Sequence, residues 1–515
     1  MSRSLIVTAR AAFERVKFIR YHYMVLPSYS FIFIFLPITL ILYWITSSRN
    51  LYTAGKIVLL ISSLVFYALL SPGIKGLVAL LASAAVSYLI ANFGLSSGRS
   101  QAIRKSLMIT GVVLNIAFLV YCRYLSYIEQ LTAEAGGPSF TFEAVVVPVG
   151  ISYFTFSQIA FIVDSYRDPE ISYSALDYLL FISFFPKITV GPIALTTEMI
   201  PQFNDPLRKQ INYDNMAKGF YRFTLGLSKK LLIADNLGKF VDIGYANIPN
   251  LGTSNSILVI LSYTLQIYFD FSGYCDLASG ICLMLNLDLC ENFDGPYRSL
   301  SITEFWKRWH ISLTRFFRNY LYIPLGGNRK GKVRTYLNNL FVFLVSGLWH
   351  GAATHFVVWG ALHGIGIIIS KLISPVSTKA PKFLRWLVTF VFVNLAWVFF
   401  RADDTTVALD MLRQLFTGGF VPLNDALIAA CIPTECQLLQ WIILKVVPGF
   451  TYYSGCIIWI ALVMIAIYFS ACSKTVRERC DTLKASGVKV AVTVILFTWS
   501  VLSLSEVAEF IYVNF

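Results

Sequence analysis

The chain has 515 residues, of which 57% are hydrophobic and 14% charged, and its mean hydropathy is +0.66. Soluble globular chains carry about a quarter charged residues, so the main solvent of this chain is lipid. The net charge of +14 does not point to nucleic acid, because Lys and Arg sit in short loops between apolar runs, where the positive-inside bias puts them.

Residues 1–23 form a basic extension, with Arg3, Arg10, Arg15, Lys17 and Arg20 against Glu14. Its apolar run Leu5–Val7 is too short for a secretory signal. The segment reads either as an amphipathic surface helix or as an upstream extension, with Met24 the working start. The rest, 24–515, reads as a single membrane domain. Apolar stretches long enough to be weighed as spans lie near 30–47, 57–73, 76–95, 106–124, 145–163, 177–195, 256–272, 274–290, 338–350, 353–373, 384–400, 455–471 and 488–504. Pro148-Val-Gly150 and Pro186 to Pro192 interrupt two of them. Such broken segments survive in a membrane only when buried in protein or lining a cavity. The expectation is an all-α polytopic bundle of about eleven spans with re-entrant and interfacial helices.

The loops at 48–56 and 96–105 carry Arg49, Lys56, Arg99, Arg104 and Lys105 and read as cytoplasmic. Loop 125–144 has Glu129, Glu134 and Glu143 without Lys or Arg, and reads as external. The first span then enters from outside, which would put a basic tail on the wrong side and favours Met24 as the start. The stretch from Ala217 to Asp235 mixes Lys218, Arg222, Lys229 and Lys230 with apolar residues, the pattern of a helix lying in the interface. Cys431 and Cys436 share a loop and would pair if it faces an oxidising compartment.

The stretch 268–364 is different in kind. His350 lies in Ser346-Gly-Leu-Trp-His-Gly-Ala352. On a helix, Ser346 and Gly347 share its face, with Thr354 at i+4, and these small neighbours leave room for a substrate channel. Ionisable groups in lipid usually serve a pathway or a site, and an imidazole is a general base near neutral pH. His310 sits among Glu304, Lys307, Arg308, Arg315 and Arg318, too many charges for a lipid-facing span, so the segment is interfacial or re-entrant. On a straight helix His355 and His363 point about 140° away from His350, which argues against a metal cluster. Asp270 and Asp276 read as buried and paired, with an Arg of the 307–318 cluster as the expected partner. Gly326-Gly-Asn-Arg-Lys-Gly-Lys332 lacks the Ser/Thr of a phosphate-binding P-loop and reads as a basic turn able to meet phosphates.

These residues resemble the membrane-bound O-acyltransferase family, in its alginate O-acetyltransferase branch. The resemblance is carried by Pro148-Val-Gly-Ile-Ser-Tyr-Phe-Thr-Phe156, Phe184-Phe-Pro186 with Gly191-Pro192, Ile233-Ala-Asp-Asn236, the central stretch, Trp397-Val-Phe-Phe-Arg-Ala-Asp403 and the terminal Phe510-Ile-Tyr-Val-Asn-Phe515. It implies a helical bundle around a central tunnel in a bacterial inner membrane. It implies an acetyl group moved from cytoplasmic acetyl-CoA, with no bound cofactor or metal, to an extracytoplasmic polysaccharide or to a serine of an extracytoplasmic partner protein. His350 matches the family's essential histidine and His310 its second polar position. The expected roles are general base for His350 and positioning or charge stabilisation for His310. Lys307, Arg308, Arg315, Arg318, Arg329 and Lys330 are the expected contacts of the donor's phosphates. The alternatives are peptidoglycan O-acetylation, D-alanyl transfer to teichoic acid and, from another class, a glycan or acyl-donor transporter.

Overall fold

An apolar run of about 20 residues satisfies its own backbone in hydrocarbon by becoming a helix, and the regular elements among the described residues are helical. The only strand-like pairing among them is an isolated bridge between Phe293 and Trp309. The structure is a computed structural model that describes the chain except residues 1–23, 72–73, 135–146, 431–440, 442–444, 448–449, 485, 507–510 and 512–515. The basic extension, Glu143, Cys431 and Cys436 therefore lie outside the described residues.

Among the described residues, seven helices are long and apolar enough to cross a membrane: α1 (Phe31–Ser48), α2 (Tyr52–Leu70), α3 (Ile74–Gly94), α4 (helical over Gln101–Glu134), and, further along, Gly252–Met284, Thr354–Leu372 and Lys382–Arg401. Shorter apolar helices cover Trp459–Ser470 and Gly487–Leu502. The expected eleven are reached only by adding the buried helix α5 (Ile151–Arg167) and the helix Lys332–His350. The two runs expected at 256–272 and 274–290 are one helix of 33 residues.

The chain divides into two compact units, Met1–Phe220 with Ala278–Leu289, and Tyr221–Leu277 with Cys290–Phe515. In the first, Phe31, Phe35, Phe66 and Phe185 pack ring on ring at 5.3–6.1 Å. Lys56 on α2 pairs with Asp177 at 2.7 Å. Both interrupted segments are enclosed by protein, as backbone outside a regular helix must be in lipid. Gly150, at φ +70, opens α5 where a Cβ would strike the Ile188 carbonyl, and residues 151–162 are buried on every side. The irregular stretch 184–194 is buried as well, with the Lys187 ammonium 4.0 Å above the Phe181 ring.

In the second unit, α6 (Tyr213–Leu227, of which residues from Tyr221 belong here) leads through a π-helical turn at Ser228–Ala234 into α7 (Asp235–Ala246). It packs against α8 (Gly252–Met284) through glycines: a Cβ on Gly226 would meet the Gly273 carbonyl at 2.7 Å. This closeness buries the charges expected at the interface. Arg222 binds Asp276 at 2.9 Å and Glu291 at 2.6 Å, Lys229 binds Asp276 at 2.6 Å, and Lys230 binds Asp270 at 2.7 Å and Asp235 at 2.9 Å. The stretch 217–235 is thus no interfacial helix over its charged part, since Arg222 and Lys230 are buried. Asp270 and Asp276 are buried and paired as expected, but with Arg222, Lys229 and Lys230 in place of the 307–318 arginines.

Candidate active site

The site is assembled within the second unit. Helix α9 (Ile302–Arg308) starts at Ser301, whose hydroxyl accepts from the Glu304 N–H at 3.1 Å, while the Glu304 carboxylate accepts from the Leu300 N–H at 2.9 Å. These two bonds hold the entry of the helix. Trp309 then extends, and His310 takes a left-handed conformation, φ 45 and ψ 54, before α10 (Ile311–Phe317) begins. A non-glycine residue held there costs roughly 1–2 kcal/mol, a strain typical of functional positions. The His310 ring is 1% exposed. It meets the Phe271 ring at 4.7 Å and the Trp349 ring at 6.2 Å between centroids. Burial pulls its pKa down to about 3, so the imidazole is neutral across the physiological range.

His350 ends α11 (Lys332–His350). Gly351 is extended, and a Cβ there would drive into the Phe356 ring. Helix α12 (Thr354–Leu372) starts three residues later and folds back along α11. Ser346 and Gly347 keep the expected i−4 and i−3 relation to His350, but Thr354 belongs to the next helix, so the straight-helix directions expected for His355 and His363 do not apply. Gly347 also serves a different end from the expected one. A Cβ on Gly347 would collide with the Phe356 carbonyl, and one on Gly360 with the Phe343 carbonyl. The small residues let two backbones touch, as in membrane helix pairs generally, and the space beside Gly347 is filled. His350 is 2% exposed, with Trp349, Trp359 and Phe400 rings at 4.7, 5.0 and 5.0 Å. Both histidines therefore touch the Trp349 indole. His363 lies on the far side of Trp359, at 4.9 Å, and its Nδ1 accepts from the Trp306 Nε1–H at 3.1 Å.

Two clefts meet below this cluster, sharing Arg318, Tyr322 and Lys371. One, about 650 Å³, is edged by Arg329 and Lys330 on the turn Gly326–Gly331. Gly326, Gly327 and Gly331 take positive φ, which lets the chain reverse tightly. The other cleft, about 250 Å³, is lined by Lys307, Trp306, Phe343 and Ser346. Cations and aromatic side chains share its walls, and Ser346 lies one helical turn before His350. Of the cations expected at the donor's phosphates, Lys307, Arg318, Arg329 and Lys330 line these clefts. Arg308 is engaged by Glu304 at 3.1 Å and Asp294 at 3.4 Å, and Arg315 does not appear on either wall. Lys371 escaped the sequence reading. Its only signal is a lone cation at the end of an apolar run, which reads equally as a snorkelling flank.

A profile of the membrane-bound O-acyltransferase family matches residues 100–402, a range that contains both histidines and both clefts. The chain is 35% identical to a peptidoglycan O-acetyltransferase of Helicobacter pylori, over 94% of this chain and 96% of that protein. It is 37% identical to a probable alginate O-acetylase of Pseudomonas aeruginosa, over 78% of this chain and 76% of that one. A teichoic acid D-alanyltransferase of Bacillus subtilis is 28% identical over 42% of this chain and 57% of its own length.

Proposed function

The chain belongs to the membrane-bound O-acyltransferase family and is a multi-pass membrane acyltransferase, and from that premise we propose that it transfers an acetyl group from cytoplasmic acetyl-CoA to a glycan outside the inner membrane. The observation that carries this reading is the pair of clefts that share Arg318, Tyr322 and Lys371, carry cations beside apolar and aromatic walls, and include Ser346 one turn from His350. Phosphates of the donor suit Arg318, Arg329, Lys330 and Lys371, and its thin thioester arm suits the apolar walls of the smaller cleft. His350 takes the proton of the acceptor hydroxyl as its oxygen attacks the thioester carbonyl. A C–O bond forms, the C–S bond breaks, and the departing thiolate takes the proton back from the His350 imidazolium. His310, neutral and anchored in aromatic surroundings, orients the acyl carbonyl by hydrogen bonding. The immediate acceptor is a serine of an extracytoplasmic partner protein or the glycan itself.

The sequence resemblance implies an alginate-like acceptor glycan. One finding favours peptidoglycan: the similarity to the Helicobacter pylori enzyme runs almost end to end, whereas that to the alginate protein covers 78% of this chain. Family membership removes the transporter alternative.

The test is thiol release from acetyl-CoA by the purified chain in liposomes, together with analysis of acetyl esters on the cell envelope of a deletion strain. His350→Ala should abolish transfer, and Arg318→Glu with Lys371→Glu should raise KM for acetyl-CoA about tenfold or more. Transfer at the normal rate by His350→Ala would refute the role of the imidazole.

A further inference from the structure

We propose that Asn292 is the residue that positions His310, an inference that rests on the reading of His310 as a working imidazole. Asn292 is fully buried and makes four hydrogen bonds, three of them to the turn that carries the histidine. Its backbone carbonyl accepts from the Ile311 N–H at 3.0 Å. Its side-chain Oδ1 accepts from the Ser312 N–H at 3.1 Å and from the Ser312 hydroxyl at 2.6 Å. Its Nδ2 donates to the Cys275 sulfur at 3.5 Å.

The segment is held from the other side too. The Asp294 N–H donates to the Arg308 carbonyl at 3.0 Å, and Phe293 bridges Trp309. His310 is thus pinned before and after, which is what a left-handed residue needs to persist.

The arrangement also relieves His310 of a structural duty. The residue before a helix normally uses its side chain to accept from one of the first amides. His310 stands in that place and makes no such bond. Asn292 accepts from both of the first two amides of α10 instead, so the imidazole is not spent on capping. Helix α8 completes the clamp from one face. Cys275, which anchors Asn292, lies four residues from Phe271, whose ring sets the tilt of the imidazole.

The experiment compares His310→Ala, Asn292→Ala, Asn292→Asp and Ser312→Ala in the full-length purified chain, by turnover and by KM for acetyl-CoA. Asn292→Ala should lower kcat roughly 10- to 100-fold with KM within about twofold, and Ser312→Ala should show a smaller loss of the same kind. Asn292→Asp keeps both acceptor bonds of Oδ1 and should recover most of the turnover. If Asn292→Ala fails to fold, Ser312→Ala and Asn292→Asp decide alone. Normal kcat in Asn292→Ala or Ser312→Ala beside an inactive His310→Ala overturns the positioning role only. A loss shared equally by kcat and KM, or no recovery in Asn292→Asp, marks general damage and overturns it as well. Normal turnover in His310→Ala overturns the reading of the site, and this proposal with it.

Discussion

The indole of Trp349 rests against the imidazole of His310, with ring centroids 6.2 Å apart and planes at 65°. Since Trp349 also packs edge-on against its chain neighbour His350 at 4.7 Å, one flat ring lies against both histidines. His310, Trp349 and His350 are all buried, and a gap of a fraction of an ångström there forfeits contact on one side.

Trp349→Ala should therefore lower acyl transfer roughly 100-fold, because misplacement of about 1 Å is enough to do so. Trp349→Phe keeps a flat ring and should retain most of the activity. Steady-state turnover in liposomes reads this out, and near-normal turnover in Trp349→Ala, or a loss in Trp349→Phe as large as in Trp349→Ala, would contradict it.

The helical architecture was legible because apolar length and periodicity are local properties. So were the interrupted segments at Pro148–Gly150 and Pro186–Pro192, which Pro and Gly announce. The choice of ion-pair partners was not. Asp270 finds Lys230, 40 residues away, and Asp276 finds Arg222, 54 residues away, through the azimuth at which two helices meet, and no short pattern encodes that angle. Gly347 shows a subtler limit: a small residue beside His350 has the same signature whether it admits a substrate or a neighbouring backbone. Asn292 gave no signal at all, because its partners are backbone groups of a turn that exists only once the chain has folded.

The buried ion pairs predict a sharp asymmetry in stability. Lys230 sits between Asp270 and Asp235, all of them buried, and the other oxygen of Asp270 accepts from the Ile511 N–H at 2.8 Å. Removing the cation alone leaves carboxylates without it in a dry setting, which costs about 3–5 kcal/mol. Lys230→Met should accordingly melt well below the natural protein in detergent. Lys230→Met/Asp270→Asn should melt higher than Lys230→Met, although it removes one more native group. If the double variant melts lower, the pair is not coupled as the geometry implies.

Lys209 gives a prediction in pH. It closes the turn Pro206–Lys209, is 4% exposed, and has its ammonium 5.7 Å from the Tyr43 ring centre and 3.5 Å from the Tyr43 hydroxyl. Burial first, and the neighbouring cation Lys56 second, pull its pKa from 10.5 down to about 8, against the opposing pull of Asp177 and Asp205. The folded pKa lies below the unfolded one, so between about pH 8 and 10.5 the unfolded chain binds more protons and stability rises with pH. Below about pH 8 the cost of holding the charged form is fully present. It amounts to as much as about 3 kcal/mol. Lys209→Met removes that cost, so the variant should melt higher than the natural protein at pH 7. Its advantage should shrink steadily as the pH climbs past 8 toward 10.5. Melting curves in detergent across that range check the sign, and a Met variant that melts lower at pH 7 would show that the ammonium is held by favourable contacts after all.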